Sequence, residues 1–195
     1  MSRPTEGERG ARWLVAGLRA IGAFLVARSR VLRGALVVGW ATWIWFLSSS
    51  RLPATVELPF AGVLGNLAHA PLFGLLGLLA LAALAPKPEG SPAWPAFRRW
   101  HFVLSVGLVV AYALLDELHQ SFTPGRSPSI GDVVTDGLGA AAVAATVQRL
   151  DPRGANGRGL LRLWGFFLLA IVLSATLADA LGFFGLEDTS AASAQ

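Results

Sequence analysis

Cysteine is absent from this 195-residue chain, and charged residues make up only 14% of it. The absence of cysteine excludes disulfide bridges, thiolate metal sites and thiol catalysis. Soluble domains carry about 25% charged residues. The low charge, with 54% hydrophobic residues and a mean hydropathy of +0.57, therefore excludes an ordinary water-soluble domain. The composition indicates a chain whose surface faces lipid over much of its area.

Five apolar runs are long enough to cross a membrane, since a helix needs about 20 residues to span a hydrocarbon core of ~30 Å. We predict an all-α fold, a polytopic transmembrane helical bundle of five spans. The spans cover residues 31–49, 64–85, 101–118, 130–147 and 160–184. The fourth is rich in Gly and Ala, and small residues let helix backbones approach closely in lipid. We therefore expect it to pack in the middle of the bundle.

An amphipathic segment, residues 13–27, precedes the spans and places its aliphatic side chains on one helical stripe. The stripe consists of Leu14, Leu18, Ile21 and Leu25. This pattern predicts an N-terminal helix lying on the cytoplasmic leaflet. Arg19 in the middle of the run argues against a signal peptide.

The chain divides into four segments by composition. A tail with the amphipathic helix covers residues 1–30, and a core of four spans covers 31–148. A basic loop with the fifth span covers 149–186, and a polar tail covers 187–195.

Basic residues are distributed unevenly between the two sides of the predicted bundle. Fourteen of the 16 Lys and Arg residues lie on one side of the bundle. They precede or begin the first span, or lie in and beside the loops that follow the second and fourth spans. The other two are Arg51 and Arg126. The positive-inside rule then predicts a multi-pass protein of the cell membrane with a cytoplasmic N-terminus and an external C-terminus. Because topology accounts for the basic residues, the net charge of +4 does not indicate nucleic-acid binding.

Six ionisable side chains in or beside the second, third and fourth spans fall toward the predicted outer side, although these spans alternate in direction, whereas His101 begins the third span on the other side. The six are His69, Asp116, Glu117, His119, Asp132 and Asp136. Ionisable residues are costly inside a membrane and are usually functional. We therefore predict a site at the outer leaflet.

Spacing suggests roles for these residues. Asp116, His119 and Gln120 share one face of the third span, and Asp132 and Asp136 share one face of the fourth. The predicted catalytic residues are Asp116, His119, Asp136 and His69, with Asp116 and His119 as the working pair. The predicted ligand-binding residues are Glu117, Gln120, Arg126 and Asp132.

Simpler structural roles compete with several of these assignments. Asp132 fits a capping pattern that begins at Ser129, and Arg126 can brace the turn by pairing with a neighbouring carboxylate. Glu117 points about 100° away from Asp116 around the helix, toward either lipid headgroups or Arg126. Ser48 and Ser49 are expected to bond the backbone at the end of the first span rather than act as nucleophiles. These alternatives stay open at the level of sequence.

Charge at this site is unbalanced. Four carboxyl groups and one arginine give a formal charge of −3, which is unstable at low dielectric. Either some carboxyl groups are protonated or a cation is bound. A divalent metal is therefore one candidate cofactor, and the sequence leaves the cofactor unknown.

The run from Asp116 to Gly139 resembles the signature of VanZ-like membrane proteins. That signature reads D-E-x-H-Q-x-x-x-P-G-R-x-x-x-x-x-D-x-x-x-D-x-x-G, and every fixed position is met. A Phe-x-Ser-Ser ending at residues 46–49 and His69 also resemble the family, whereas Asn66 and Phe73 replace a Lys and a Tyr found in many relatives. The resemblance covers about residues 35–148. It implies a bacterial inner-membrane protein of the cell envelope, in a family named for a protein linked to teicoplanin resistance.

Two functions of different classes follow. The first is a protein, whether enzyme or binder, that acts on a membrane lipid or a lipid-linked cell-wall precursor at the outer leaflet. A His/Asp pair can serve as general base, and a histidine with carboxylates can hold a metal that meets a phosphate. The second is a structural or accessory protein in which the polar residues lock helix packing. A proton or ion carrier is disfavoured because the cytoplasmic halves of the spans lack comparable acidic residues.

Overall fold

The computed structural model describes residues 6–50, 61–86, 88, 94–123, 128–152 and 159–183, and within them the chain forms α-helices and no β-strand. The helices are α1 (Glu6–Val26), α2 (Arg30–Ser49), α3 (Ala61–Leu84), α4 (Arg99–Ser121), α5 (Ile130–Arg149) and α6 (Leu160–Phe183). Five of these, α2 to α6, are long and apolar enough to cross a membrane. The predicted all-α bundle of five spans is confirmed.

The spans begin and end within a few residues of the predicted positions. α4 differs most, since it starts two residues earlier than predicted and extends three residues further, to Ser121. The run from Asp116 to Gln120 therefore lies wholly inside a helix. Ser29 caps α2, its hydroxyl accepting a hydrogen bond from the Leu32 amide at 3.2 Å. The polar tail predicted over residues 187–195 lies outside the described residues.

Two helices occupy the centre of the bundle, α3 and α5. α5 contacts α3, α4 and α6, while α3 also contacts α1, α2, α4 and α6. Their backbones approach at small residues: a Cβ on Gly77 would lie 3.1 Å from the Cβ of Ala140, and one on Gly139 would collide with the backbone of Ala70. The prediction that the Gly- and Ala-rich span packs centrally is confirmed.

Helices α2 and α6 lie at the periphery and present apolar side chains outward. Val38 in α2 is 65% exposed and Leu168 in α6 is 63% exposed, whereas Ile44 on the inward face of α2 is 2% exposed. Large apolar side chains on a helix long enough to span a bilayer are stable in contact with lipid. This pattern fits a bundle with a lipid-facing outer surface.

The amphipathic helix α1 packs against the bundle. Val15 and Val26 are buried in contact with it, and Leu18 and Leu25 line an apolar cavity of about 280 Å³. α1 starts at Glu6, seven residues before the predicted start. Its opposite face exposes Trp13 and other large apolar side chains. In the stripe predicted to face the leaflet, Leu18 and Leu25 are thus half-buried against the bundle while Ile21 is exposed, and the location of α1 at the cytoplasmic interface stays a prediction.

We call one end of the bundle the arginine end, where α2, α4 and α6 begin and α3 and α5 finish. Arg33 is buried there and donates to the carbonyl oxygens of Ala82 and Ala85 at the end of α3. Arg19 of α1 donates to the Leu150 carbonyl at the end of α5, at 2.8 Å. Arginines thus satisfy carbonyls that helix C-termini leave without partners.

Candidate functional site

The opposite end of the bundle, where α2 and α4 finish and α3 and α5 begin, is the site end. Buried polar side chains concentrate there, although a buried polar group is costly unless it has a partner. They are Ser48, Asp116, Glu117, Gln120, Asp132, Thr135 and Asp136, each at most 7% exposed. Helix direction alternates along the chain, which brings four helix ends to this side. The sequence prediction that the ionisable residues gather at one end is confirmed.

The central contact of the site joins a histidine of α3 to a carboxylate of α5. His69 Nδ1 lies 3.2 Å from Asp136 Oδ1, with His69 18% exposed and Asp136 1% exposed. Neither oxygen of Asp136 has a hydrogen-bond partner among the described residues, so the two side chains face each other without an aligned hydrogen bond. The ring of His69 lies parallel to that of Phe73 at 5.8 Å. His69 is thereby held against a buried carboxylate while part of its ring stays accessible.

Asp116 forms a bridge between α2 and α4. The side chain is fully buried, and its Oδ2 accepts hydrogen bonds from the Ser48 hydroxyl at 2.7 Å and from Gln120 Nε2 at 2.9 Å. The Gln120 contact agrees with the predicted shared face of α4. The Ser48 contact corrects a prediction, because Ser48 bonds a side chain of α4 rather than the backbone of its own helix end.

His119 contacts α2 through a second serine. Its Nε2 lies 2.8 Å from the Ser49 hydroxyl, and its ring stacks on Trp45 with centroids 3.8 Å apart. Ser49 also donates to the Trp45 carbonyl at 2.8 Å, as predicted for a helix-end serine. Ser49 therefore binds both the backbone of its own helix and a histidine of α4.

Asp116 and His119 make no direct contact among the hydrogen bonds of the described residues, and their role as the working pair stays a prediction. Each of the two side chains binds a different serine of α2. The carboxylate that does face a histidine is Asp136, and its partner is His69. Spacing placed Asp116 and His119 on one face of α4, and that face meets α2 instead of forming an internal pair.

Glu117 turns toward the start of α5. It is 6% exposed, and its Oε2 accepts a hydrogen bond from the Ser129 backbone amide at 2.6 Å. Glu117 therefore contacts the start of α5 rather than lipid headgroups, while the predicted alternative, a contact with Arg126, lies outside the described residues. Ser129 is the N-cap of α5, but its hydroxyl makes no capping hydrogen bond, so this half of the predicted capping box is not formed. Asp132 lies in the first turn, where a negative charge suits the helix dipole.

Three ligand-bearing side chains converge between these helices. His69 of α3, Glu117 of α4 and Asp132 of α5 each place one nitrogen or carboxylate oxygen within 4.8 Å of the others'. Of the side chains that the structure describes, this is the group that could hold a metal ion. Arg126, predicted to bind ligand, lies outside the described residues.

The two positions where this chain departs from many VanZ-like relatives have structural roles. Phe73 is fully buried and lies between the rings of His69 and Tyr112. Asn66 Nδ2 donates to the Ala175 carbonyl of α6 at 3.4 Å. Thr135 of α5 also binds α6, through a hydrogen bond of 3.0 Å to Ser174. The hydrogen bonds of Asn66 and Thr135 join the fifth span, α6, to the central helices α3 and α5.

The arrangement offers general acid–base chemistry at two histidines. His69 faces a buried carboxylate that can stabilise its protonated form, and His119 contacts a hydroxyl. Sequence reasoning missed Ser48, Ser49 and Trp45 as members of the site. The signal available was their position at the end of the first span, which the predicted topology puts on the same side as Asp116 and His119.

Comparison with known proteins agrees with this geometry. The family model described as VanZ/LLP1 matches residues 23–150, about two thirds of the chain. The match covers α2 to α5 entirely and leaves α6 outside. Neither a curated protein nor a solved structure matches the chain.

Proposed function

The chain belongs to the VanZ/LLP1 family of membrane proteins, and we propose that it binds and acts on the polar headgroup of an envelope lipid or a lipid-linked cell-wall precursor. The observation that carries this proposal is the contact between His69 and Asp136, whose facing atoms lie 3.2 Å apart. A buried, ionisable pair between two central helices is costly for a membrane protein, and such pairs are retained mainly where they serve function.

The position of the pair suits a lipid substrate. His69 is the ninth residue of α3 and Asp136 the seventh of α5, which puts both roughly 10 Å from the helix ends at 1.5 Å per residue. Because helices of 24 and 20 residues about match a hydrocarbon core of ~30 Å, that depth lies within the third of the core nearest the site end. A phosphate or sugar of a lipid can reach it while its chains stay in the bilayer.

Chemistry at the pair requires proton transfer. The partly exposed ring of His69 can take a proton from a hydroxyl or water at the headgroup, and Asp136 stabilises the imidazolium that forms. The positive-inside rule puts the site at the outer leaflet, where precursors of the bacterial wall are assembled into polymer. The resemblance to VanZ-like proteins implies a link to glycopeptide susceptibility.

A second candidate is a structural lock, and the Asp116 network favours it. Oδ2 of Asp116 joins α2 to α4 through Ser48 and Gln120, and buried polar networks can fix helix register. Removing one member of such a network destabilises the bundle. The two candidates apply to different residues, with Asp116 as the lock and His69 with Asp136 as the reacting pair.

The test compares Asp136→Asn, His69→Gln and Asp116→Asn in a strain lacking the native protein. We expect the first two to insert and purify as monodisperse protein yet lose complementation in glycopeptide-susceptibility and lipid-profile assays. Asp116→Asn should lower the melting temperature in detergent. Wild-type complementation by both Asp136→Asn and His69→Gln would refute the proposed function, whereas a melting temperature for those two as low as that of Asp116→Asn would favour the lock.

A further inference from the structure

Three helices converge on one point at the site end, and we propose that His69, Glu117 and Asp132 hold a single divalent metal ion of the Mn²⁺ or Zn²⁺ type. One ligand atom from each residue lies within 4.8 Å of the other two. Atoms at such separations can surround one ion at bond lengths of about 2.0–2.2 Å after small side-chain adjustments. The inference rests on the proposed function and deepens it, since the ion would meet the headgroup at the same site and, with the His69 ring bound to it, would activate the water or hydroxyl in place of that ring.

Glu117 supplies an independent observation that points to a ligand. The side chain is only 6% exposed, and its Oε2 accepts a hydrogen bond from the Ser129 backbone amide. Its other oxygen, Oε1, has no hydrogen-bond partner among the described residues. A buried carboxylate oxygen without a partner is costly, and a metal ion is a partner that removes this cost.

Asp136 completes the arrangement from behind His69. Its carboxylate faces Nδ1 of the ring at 3.2 Å, which leaves Nε2 as the nitrogen for an ion. A metal-binding histidine usually gives its other N–H to a carboxylate, which orients the ring and strengthens it as a ligand. Asp136 is thus a positioning residue for the ion.

Charge and ligand type select the ion. Two carboxylates neutralise a divalent cation, and a neutral group is cheap to hold at low dielectric. Ca²⁺ takes six to eight oxygen ligands and Mg²⁺ keeps several waters, whereas an imidazole with carboxylates suits Zn²⁺ or Mn²⁺. Three protein ligands leave a coordination position open, as catalytic metal sites do. A phosphate oxygen or a water of the substrate complex fits that position.

The experiment measures ion binding by the full-length protein without any substrate. Protein purified in detergent through a histidine-free tag is stripped with chelator, incubated with MnCl₂ or ZnCl₂, and passed over gel filtration before elemental analysis. Binding constants come from titration with the same salts, with Mn²⁺ followed by electron paramagnetic resonance. We expect one equivalent of metal ion per chain. In Glu117→Gln and Asp132→Asn we expect the affinity for the ion to fall by at least about 100-fold, because the loss of even a supporting residue around a metal site lowers affinity by up to about that factor.

Glu117→Gln keeps the shape of the side chain and an oxygen for the Ser129 amide, so it tests charge and ligation rather than packing. His69→Gln serves as a second variant should Glu117→Gln aggregate. The matched control is Asp151→Asn, which removes one carboxylate just beyond the far end of α5 and should leave the affinity unchanged. A wild-type protein that retains no ion, or equal affinity in wild type and the ligand variants, overturns the proposal. Equal weakening by Asp151→Asn overturns it as well.

The two proposals can fail separately. A metal-free wild type whose Asp136→Asn variant still loses complementation rejects the ion and leaves the proposed function standing. A stoichiometric ion in a protein whose Asp136→Asn and His69→Gln variants complement fully rejects the proposed function and leaves the metal site standing.

Discussion

Gly139 of α5 packs directly on the backbone of Ala70 in α3, one residue after His69. A Cβ at Gly139 would lie 3.0 Å from the carbonyl carbon and from the Cα of Ala70, and it would collide with the carbonyl oxygen. The collision involves backbone on both sides, so no side chain can move away to relieve it. This contact sets the distance between the helices that carry His69 and Asp136.

We expect Gly139→Ala to push α3 and α5 apart and to weaken both the fold and the site. Overpacking of a tight core costs about 1–3 kcal/mol, so the melting temperature in detergent should fall and complementation should be lost. Gly107→Ala and Gly165→Ala are matched controls, because nothing lies within 4 Å of a Cβ at either position. Their melting temperatures should equal or exceed that of wild type, since alanine is the better helix former. Unchanged stability in Gly139→Ala would contradict the close contact.

Helix positions and the end of the bundle that carries the polar residues could be predicted from sequence. Apolar runs of about 20 residues give the helix positions, because these depend on local composition. The alternating direction of successive spans gives the end of the bundle, because it depends only on chain order. The pairing of His69 with Asp136 could not be predicted in the same way. Spacing shows which residues share a face of one helix, as for Asp116 and Gln120, but not which neighbouring helix that face meets.

Arg33 illustrates the same limit. Its place near the start of the first span in the sequence favours a side chain that snorkels to the interface. In the structure it is 5% exposed and turns inward to the end of α3, because the carbonyls of Ala82 and Ala85 need donors and α3 packs beside α2. The partner comes from a residue about 50 positions away in the chain, and no local pattern records it.

Arg33 should stabilise the protein through those carbonyls. Replacement by Met keeps much of the apolar stem and removes the charged donor, which leaves the Ala82 carbonyl only its weak bond from the Ala85 amide and takes the arginine from the Ala85 carbonyl. Hydrogen bonds to charged groups contribute about 1.5–3 kcal/mol, and we expect Arg33→Met to lower the free energy of unfolding by an amount in that range. Arg30→Met is the control, since Arg30 is exposed at the start of the same helix; surface changes of this kind stay within about 0.5 kcal/mol. Equal effects in the two variants would rule out the buried cap.

Orientation in the membrane can be tested with reporter fusions. The positive-inside rule predicts a cytoplasmic N-terminus and, after five spans, an external C-terminus. Alkaline phosphatase, which is active only outside the cytoplasm, should be active when fused after Gln195 and inactive when fused after Pro152, between α5 and α6. A fluorescent protein that folds in the cytoplasm should give the reverse pattern. Phosphatase activity at Pro152 and none at Gln195 would place the site on the cytoplasmic side.

Ser48 and Ser50 should respond differently to the same change, although they lie two residues apart. The Ser48 hydroxyl donates to the fully buried Asp116 at 2.7 Å, whereas Ser50 is exposed and donates to the Phe46 carbonyl one turn back. Loss of a donor to a buried carboxylate costs about 1–3 kcal/mol. We therefore expect Ser48→Ala to lower the melting temperature clearly and Ser50→Ala to change it little.

The combination with Asp116→Asn distinguishes a direct bond from a general effect of the serine. If Ser48 acts through Asp116, the double variant should lose less stability than the sum of the losses in the two single variants. The difference, which is the coupling free energy, should be about 0.5–3 kcal/mol. Strictly additive losses in thermal unfolding would show that Ser48 stabilises α2 by some other contact. Ser48→Thr keeps the hydroxyl and should restore part of the stability, because the donor to Asp116 is present again.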